Sequence, residues 1–194
     1  MDFSEVVAKR RSVRKFKEEP VPTNILSRIL DAGRWAPSAG NSQPWRFVVV
    51  TDTDVKRRIA EVCTESSKKA WAGFSPECAR YLAARGGSWD KSSMMKIPVL
   101  VVVCYEVSER IRDELVLGSV WAAVENMLLA ATDEGLGSCI YTFYDMEEEE
   151  RIKEALRVPE KFRVVAMVQL GYSVAQPLTP SRKTLDEIVS YQHF

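Results

Sequence analysis

Histidine is almost absent from this sequence: a single residue, His193, stands near the C-terminus. The four cysteines, Cys63, Cys78, Cys104 and Cys139, form no C-x-x-C pair. A classical zinc site is therefore excluded, and so is the usual base of a Ser-His-Asp triad. No G-x-S-x-G elbow and no P-loop occurs. The "EGLG" at 134–137 is not a dinucleotide fingerprint, because Ile140 holds the place of the third glycine and the motif follows a helical pattern instead of a strand. Net charge is absent too: 27 Lys and Arg balance 27 Asp and Glu, which argues against a generic nucleic-acid binder. No apolar run approaches the roughly 20 residues that span a bilayer. No apolar stretch follows the N-terminal basic residues as in a signal peptide. The expected compartment is the cytoplasm, with Cys104 and Cys139 as reduced, small core hydrophobes in apolar runs.

What is present is a chain of 194 residues, 46% hydrophobic and 28% charged, which reads as one domain, 1–194, with enough length to bury a core. Phe3, Val6 and Val7 predict a short helix. "TNILSRILDAGRWAP" predicts another, with Thr23 as N-cap and a stop at Gly33 and Pro37. Residues 54–63 predict a third. Strands are expected at 45–52, 97–106, 137–145 and 161–172, where β-branched and apolar residues cluster between turn signals. "MEEEERIKEAL" predicts a helix whose acids form an exposed first turn that suits the helix dipole. From Leu115 to Ala131 the chain is apolar nearly all round, so that helix needs two packing partners: the sheet and a second subunit. Trp121 and Glu125 on it read as core and interface. Residues 64–96 show no clean long period and predict an irregular cap; 173–194 predicts an extended arm. The sum is a mixed α+β sheet with a long central helix.

Positive charge is locally concentrated. "KRRSVRKFK" at 9–17 places six basic side chains in nine positions, either a solvated face or a pocket for an anion. "APSAGNSQPWRF" at 36–47 has the composition of a turn, and also offers Ser38, Asn41 and Gln43, whose amides can read a heterocycle edge. Since protein-borne nucleophiles and bases are missing, an enzyme built on this chain would rely on a cofactor. Arginines matched to phosphate oxygens would give the basic run its purpose.

These motifs in this order, "KRRSVRKF", "PSAGNSQPWRF", "GLGSCI" and a late Arg, resemble the FMN-dependent nitroreductase family over residues 3–185. The resemblance implies a nitroreductase-like α+β fold with a mixed or antiparallel sheet flanked by helices, and a homodimer with FMN at its interface. It implies no metal and no catalytic side chain, the chemistry residing at flavin N5. By position, Arg10 and Ser12 match phosphate and ribityl contacts, Arg14 the pyrimidine edge, and Arg11 falls in the same motif. Ser38, Asn41 and Gln43 match the loop that reaches the flavin from the other subunit. Tyr141, Thr142 and Phe143 match the strand end along the isoalloxazine. Arg182 and Lys183 match the late phosphate position. One of Ser66, Ser67, Lys68 and Lys69 would meet the pyrimidine.

The implied reaction is ping-pong: NADH or NADPH reduces the flavin, and a nitroaromatic, quinone or related small aromatic acceptor oxidises it. Dehalogenating or flavin-fragmenting chemistry, or a non-catalytic FMN-binding sensor, are the alternatives. Residues 64–96 are expected to cap the flavin, with Trp71, Phe74 or Trp89 as a stacking surface.

Overall fold

The computed structural model describes residues 1–84, 90–142, 144–175 and 177–193. β1 (Trp45–Val50), β2 (Val99–Glu106), β3 (Gly137–Tyr141) and β4 (Phe162–Gly171) form one sheet in the order β1-β2-β4-β3, with every pairing antiparallel. All four expected strands are present: three are slightly shorter than expected, and the one expected over 137–145 ends at Tyr141. β2 has no free face. Leu100, Val102 and Cys104 point to one side and Val99, Val101, Val103 and Tyr105 to the other, which is why it reads as an unbroken apolar stretch.

Helices cover both sides. α2 (Thr23–Arg34) and α6 (Asp113–Asp133) lie on one face, where Ile29, Val120, Val124, Met127 and Leu128 are buried. α3 (Thr53–Gly73), α5 (Lys91–Met95) and α7 (Met146–Leu156) lie on the other, with Ile59, Cys63, Met94 and Ile152. Each such side chain contributes about 1.5–3 kcal/mol on burial. In β4 the inward positions change parity. Val103 pairs with Ala166 and Cys104 with Val164, leaving Val165 as an extra, bulged residue. Phe162 and Val164 therefore share a face with Met167.

Several expectations are corrected. Thr23 is the first residue of α2, not its cap; Pro22 holds that place without a side-chain bond. The helix expected over 54–63 runs on to Gly73, and α4 (Pro76–Ala84) and α5 follow, so the described part of 64–96 is mostly helical. Ser66 and Ser67 hid the continuation: both are buried, Ser66 donating to the Val62 carbonyl at 2.9 Å and Ser67 bonded to the Tyr141 hydroxyl at 3.0 Å. The acids of α7 are not all exposed. Glu148 completes a capping box with Asp145 and lies 2.9 Å from Lys69 Nζ. Glu149 accepts from Arg163 Nε at 2.8 Å, Arg163 Nη2 at 2.9 Å and the Val164 amide at 2.8 Å. Burial opposes its ionisation, but these donors outweigh burial and hold its carboxyl below the usual range.

α6 also departs from expectation. By length and composition alone it is apolar enough to cross a membrane, with mean hydropathy 1.5. Its buried residues pack on the sheet and on α2, while Leu115 and Trp121 face outward, 47% and 38% exposed. The described residues after Val174 hold one 3-10 turn, Leu185–Glu187, and expose Leu178, Leu185, Ile188 and Tyr191.

Candidate cofactor site

The short helix α1 (Phe3–Lys9) ends at Arg10, and the chain then runs extended along the sheet. Ser12 bridges Ser138 of β3, and the Val13 amide donates to the Ser138 carbonyl at 2.8 Å. Further on, Phe16 bridges Ser173, the Lys17 amide donates to the Tyr172 carbonyl at 2.8 Å, and the Val174 amide donates to the Lys15 carbonyl at 3.1 Å. Val13 and Phe16 are buried, and they anchor the segment. Gly137 permits this approach: a Cβ there would fall 2.6 Å from a Val13 methyl. The beginning of the C-terminal arm pairs with the basic run, which is how Arg182 comes near it.

A cavity of 370 Å³ results, walled by Arg10, Arg11, Ser12, Arg14 and Lys15, by Tyr81 and Ala84 of α4, and by Pro177, Leu178 and Arg182 of the arm. Among the described residues no carboxylate lines it. Arg11 Nη1 donates to the Arg10 carbonyl at 2.6 Å, and Arg182 Nη1 to the Ser181 carbonyl at 3.1 Å. Carbonyl partners leave the guanidinium charge uncompensated. Arg10 differs, with Nε 3.1 Å from Oε1 of Glu125 on α6. A concave site lined by several cations and by apolar side chains is matched to a phosphate ester on an aromatic body.

The loop 38–43 lies elsewhere in the subunit. Ser38 Oγ accepts from the Gln43 amide at 3.0 Å, and Gln43 Nε2 donates to Asn41 Oδ1 at 3.2 Å. Gly40, Asn41 and Gln43 are left-handed, with φ of 58°, 54° and 45°, a costly conformation for Gln43. Gln43 lines a separate hollow of 390 Å³ with Ser42, Arg46, Glu106 and Arg110. Within one subunit the structure does not bring this loop to the basic cavity.

Other expected contacts are redirected. The Tyr141 side chain is fully buried and does not line the cavity; its hydroxyl donates to the Cys63 carbonyl at 2.7 Å, and burial pushes the phenol pKa up. Thr142 and Lys183 are exposed, and Phe143 and Trp89 lie outside the described residues. Of the four polar cap candidates, Ser66 and Ser67 are committed to the core, Lys69 is paired with Asp145 and Glu148, and Lys68 is exposed. Trp71 packs on the core and edge-on against Phe74, centroids 6.0 Å apart. Among the described residues Tyr81 is the aromatic that reaches the cavity, and sequence reasoning did not choose it. Its signal was local: Tyr81 and Ala84 share one face of a helix that buries none of its residues. Lys15 was also missed, although it belongs to the basic run.

The sequence model of the nitroreductase family matches residues 7–172. An iodotyrosine deiodinase of Thermotoga neapolitana is 34% identical over 168 residues, 87% of each chain. The crystal structure of an oxidised iodotyrosine deiodinase bound to FMN and 3-iodo-L-tyrosine superposes with a TM-score of 0.85 at 31% identity, covering 99% of this chain and 100% of that one. A mutant of an FMN and NADPH-dependent nitroreductase from sphigopyxis sp. strain HMH shares the fold, with a TM-score of 0.80 at 23% identity, over the whole of both chains.

Proposed function

The chain belongs to the nitroreductase family, and from that premise we propose that it is an FMN-dependent oxidoreductase that takes reducing equivalents from NADH or NADPH and passes them to a small aromatic acceptor. The observation that carries this reading is the 370 Å³ cavity walled by Arg10, Arg11, Arg14, Lys15 and Arg182 without a carboxylate among its described lining. The residues present fit the group: the lining cations suit its phosphate, and Tyr81 and Leu178 offer apolar surface to a ring system. FMN, when bound, supplies the two-electron carrier that the chain's own side chains lack.

In this reading Arg10, Ser12 and Arg182 hold the phosphate and ribityl end, with Arg11 and Lys183 beside them. Arg14 faces the pyrimidine edge, where a guanidinium favours the anionic reduced state. Ser38, Asn41 and Gln43 enter from a second subunit, and Thr142 borders the ring. Apolar residues on the outer surface, Phe3, Val7, Leu115 and Trp121 among them, give the homodimer its contact area. The helix α4 covers the ring and shapes acceptor choice, with Tyr81 toward the cavity.

The likeness to iodotyrosine deiodinases favours a second reading, in which the acceptor is a halogenated aromatic and the net reaction replaces the halogen with hydrogen. One experiment separates the readings. Purified protein with oxidised-flavin absorbance is bleached anaerobically by NADH, by NADPH or by dithionite. It is then mixed with a nitroaromatic, a quinone or 3-iodo-L-tyrosine. Reoxidation by the first two supports the oxidoreductase reading, and iodide release supports the second. Colourless protein that binds no FMN would refute both.

A further inference from the structure

α6 is apolar almost throughout, yet it carries one charge in the middle. Glu125 is the only charged residue between Glu114 and Asp133. No residue three or four positions away on the helix can pair with it, since Trp121, Ala122, Leu128 and Leu129 occupy those places. Its partner lies on another element: Arg10, at the C-cap of α1, with Nε 3.1 Å from Glu125 Oε1. Arg10 also lines the basic cavity, whereas Glu125 does not.

We infer that Glu125 is a positioning residue that holds Arg10 in place for a phosphate ester in the cavity; this rests on the FMN reading above. A guanidinium is a planar fork of five donors. A carboxylate that takes the Nε side leaves the two terminal nitrogens for phosphate oxygens. Untethered, the Arg10 side chain would sample several rotamers and lose that freedom on binding. Opposing this, the Glu125 charge repels the phosphate. The carboxylate is already engaged with the Arg10 guanidinium at 3.1 Å, which offsets its charge toward the phosphate, and the tether is the larger effect. A lone charge kept on an otherwise apolar helix, aimed at a cavity cation, is what such a role requires.

The test compares FMN with riboflavin, which lacks the phosphate. Full-length wild-type, Glu125→Ala and Glu125→Gln proteins are titrated with each flavin by fluorescence quenching, and the melting temperature of each is recorded. Ordering one side chain on binding corresponds to about three- to tenfold in affinity. Glu125→Ala should weaken FMN by that factor and leave riboflavin within twofold. Glu125→Gln keeps the shape and an oxygen acceptor and should fall between Glu125→Ala and wild type for FMN. Equal losses for both flavins would make Glu125 merely structural and overturn the proposal. So would unchanged or tighter FMN binding. If wild-type protein does not prefer FMN to riboflavin, the phosphate site itself fails, a result visible before any variant is compared.

Discussion

Adding one methyl at Gly137 should dislodge the basic run. A Cβ built there lies 2.6 Å from Val13 Cγ2 and 2.7 Å from both Val13 Cβ and Cγ1. Because Val13 Cβ is itself one of the close atoms, no rotamer of this stiff, β-branched residue relieves the contact, and the backbone of residues 12–14 has to move. That movement strains the Val13 amide bond to the Ser138 carbonyl, now 2.8 Å. Overpacking costs about 1–3 kcal/mol, and the weakened hydrogen bond about 1 kcal/mol more. The sum, about 2–4 kcal/mol, corresponds to a fall of roughly 5–15 °C in Tm for a chain of this size.

Arg10, Arg11, Arg14 and Lys15 move with Val13, so FMN retention should fall alongside Tm. Gly33→Ala is the control. There the nearest atoms are Met127 Cγ at 2.8 Å and Sδ at 3.2 Å and Phe47 Cζ at 3.2 Å. A flexible Met side chain can yield, and alanine regains about 1 kcal/mol of helix propensity. Combining Gly137→Ala with Val13→Ala removes two of the three closest atoms, so the double variant should lose less than the sum of the single losses, with a coupling of about 0.5–3 kcal/mol. Thermal melts and flavin content after gel filtration measure both effects. A Gly137→Ala protein with wild-type Tm and full flavin content would refute the docking of the run on β3.

Other outcomes follow from the same geometry. Arg10→Ala should weaken FMN retention by about 10- to 100-fold, since it removes charge-assisted bonds of roughly 1.5–3 kcal/mol; unchanged affinity would take Arg10 out of the site. On the proposed dimer, Trp121→Asp should sediment as a monomer at micromolar concentration and lose flavin, because a charge would replace exposed apolar surface on α6; an FMN-loaded monomer would count against a shared site. Glu149→Gln should flatten the acid limb of the stability curve. The Glu149 carboxyl is held below its unfolded value of about 4.5, so its contribution is present above that pH and is lost as pH falls through the folded value. The loss near pH 7 should be about 1–3 kcal/mol, kept modest because the Arg163 side chain is 36% exposed, and urea melts between pH 3 and 7 would measure it.

The legible parts of the fold were those whose information is local. β2 is a run of mostly β-branched residues, and α7 announces itself through the acids of "MEEEERIKEAL", which suit a first helical turn. What was not legible depends on partners distant in sequence. Nothing near Glu149 says that Arg163 will bury it. Nothing near Ser66 and Ser67 says that one bonds back along its helix and the other to Tyr141, so α3 lost its apparent period where polar residues enter the core. The site divides in the same way. The basic run was visible as composition, and its meeting with Arg182 as a resemblance of motifs. The direction of Tyr141 was not visible, because alternation along β3 sends that ring into the core packed by α3 and α7.

The short motif "GLGS" shows how local and distant information meet. Gly135, with φ of 76°, is the left-handed residue that ends α6, and the Leu136 amide behind it donates to the Ala131 carbonyl at 2.8 Å. Gly137 is needed for a different reason, the contact with Val13. Ser138 then supplies the bridge to Ser12. One glycine stops a helix and spends its amide on the Thr132 carbonyl at 3.1 Å, and the other opens a slot. The motif's consequence is mechanical. The helix that carries Trp121 and Glu125 joins the strand that seats the basic run through a turn of three residues, 134–136. A subunit packed on α6, as proposed above, would bear on Arg10 twice, through Glu125 and through the seat of Val13.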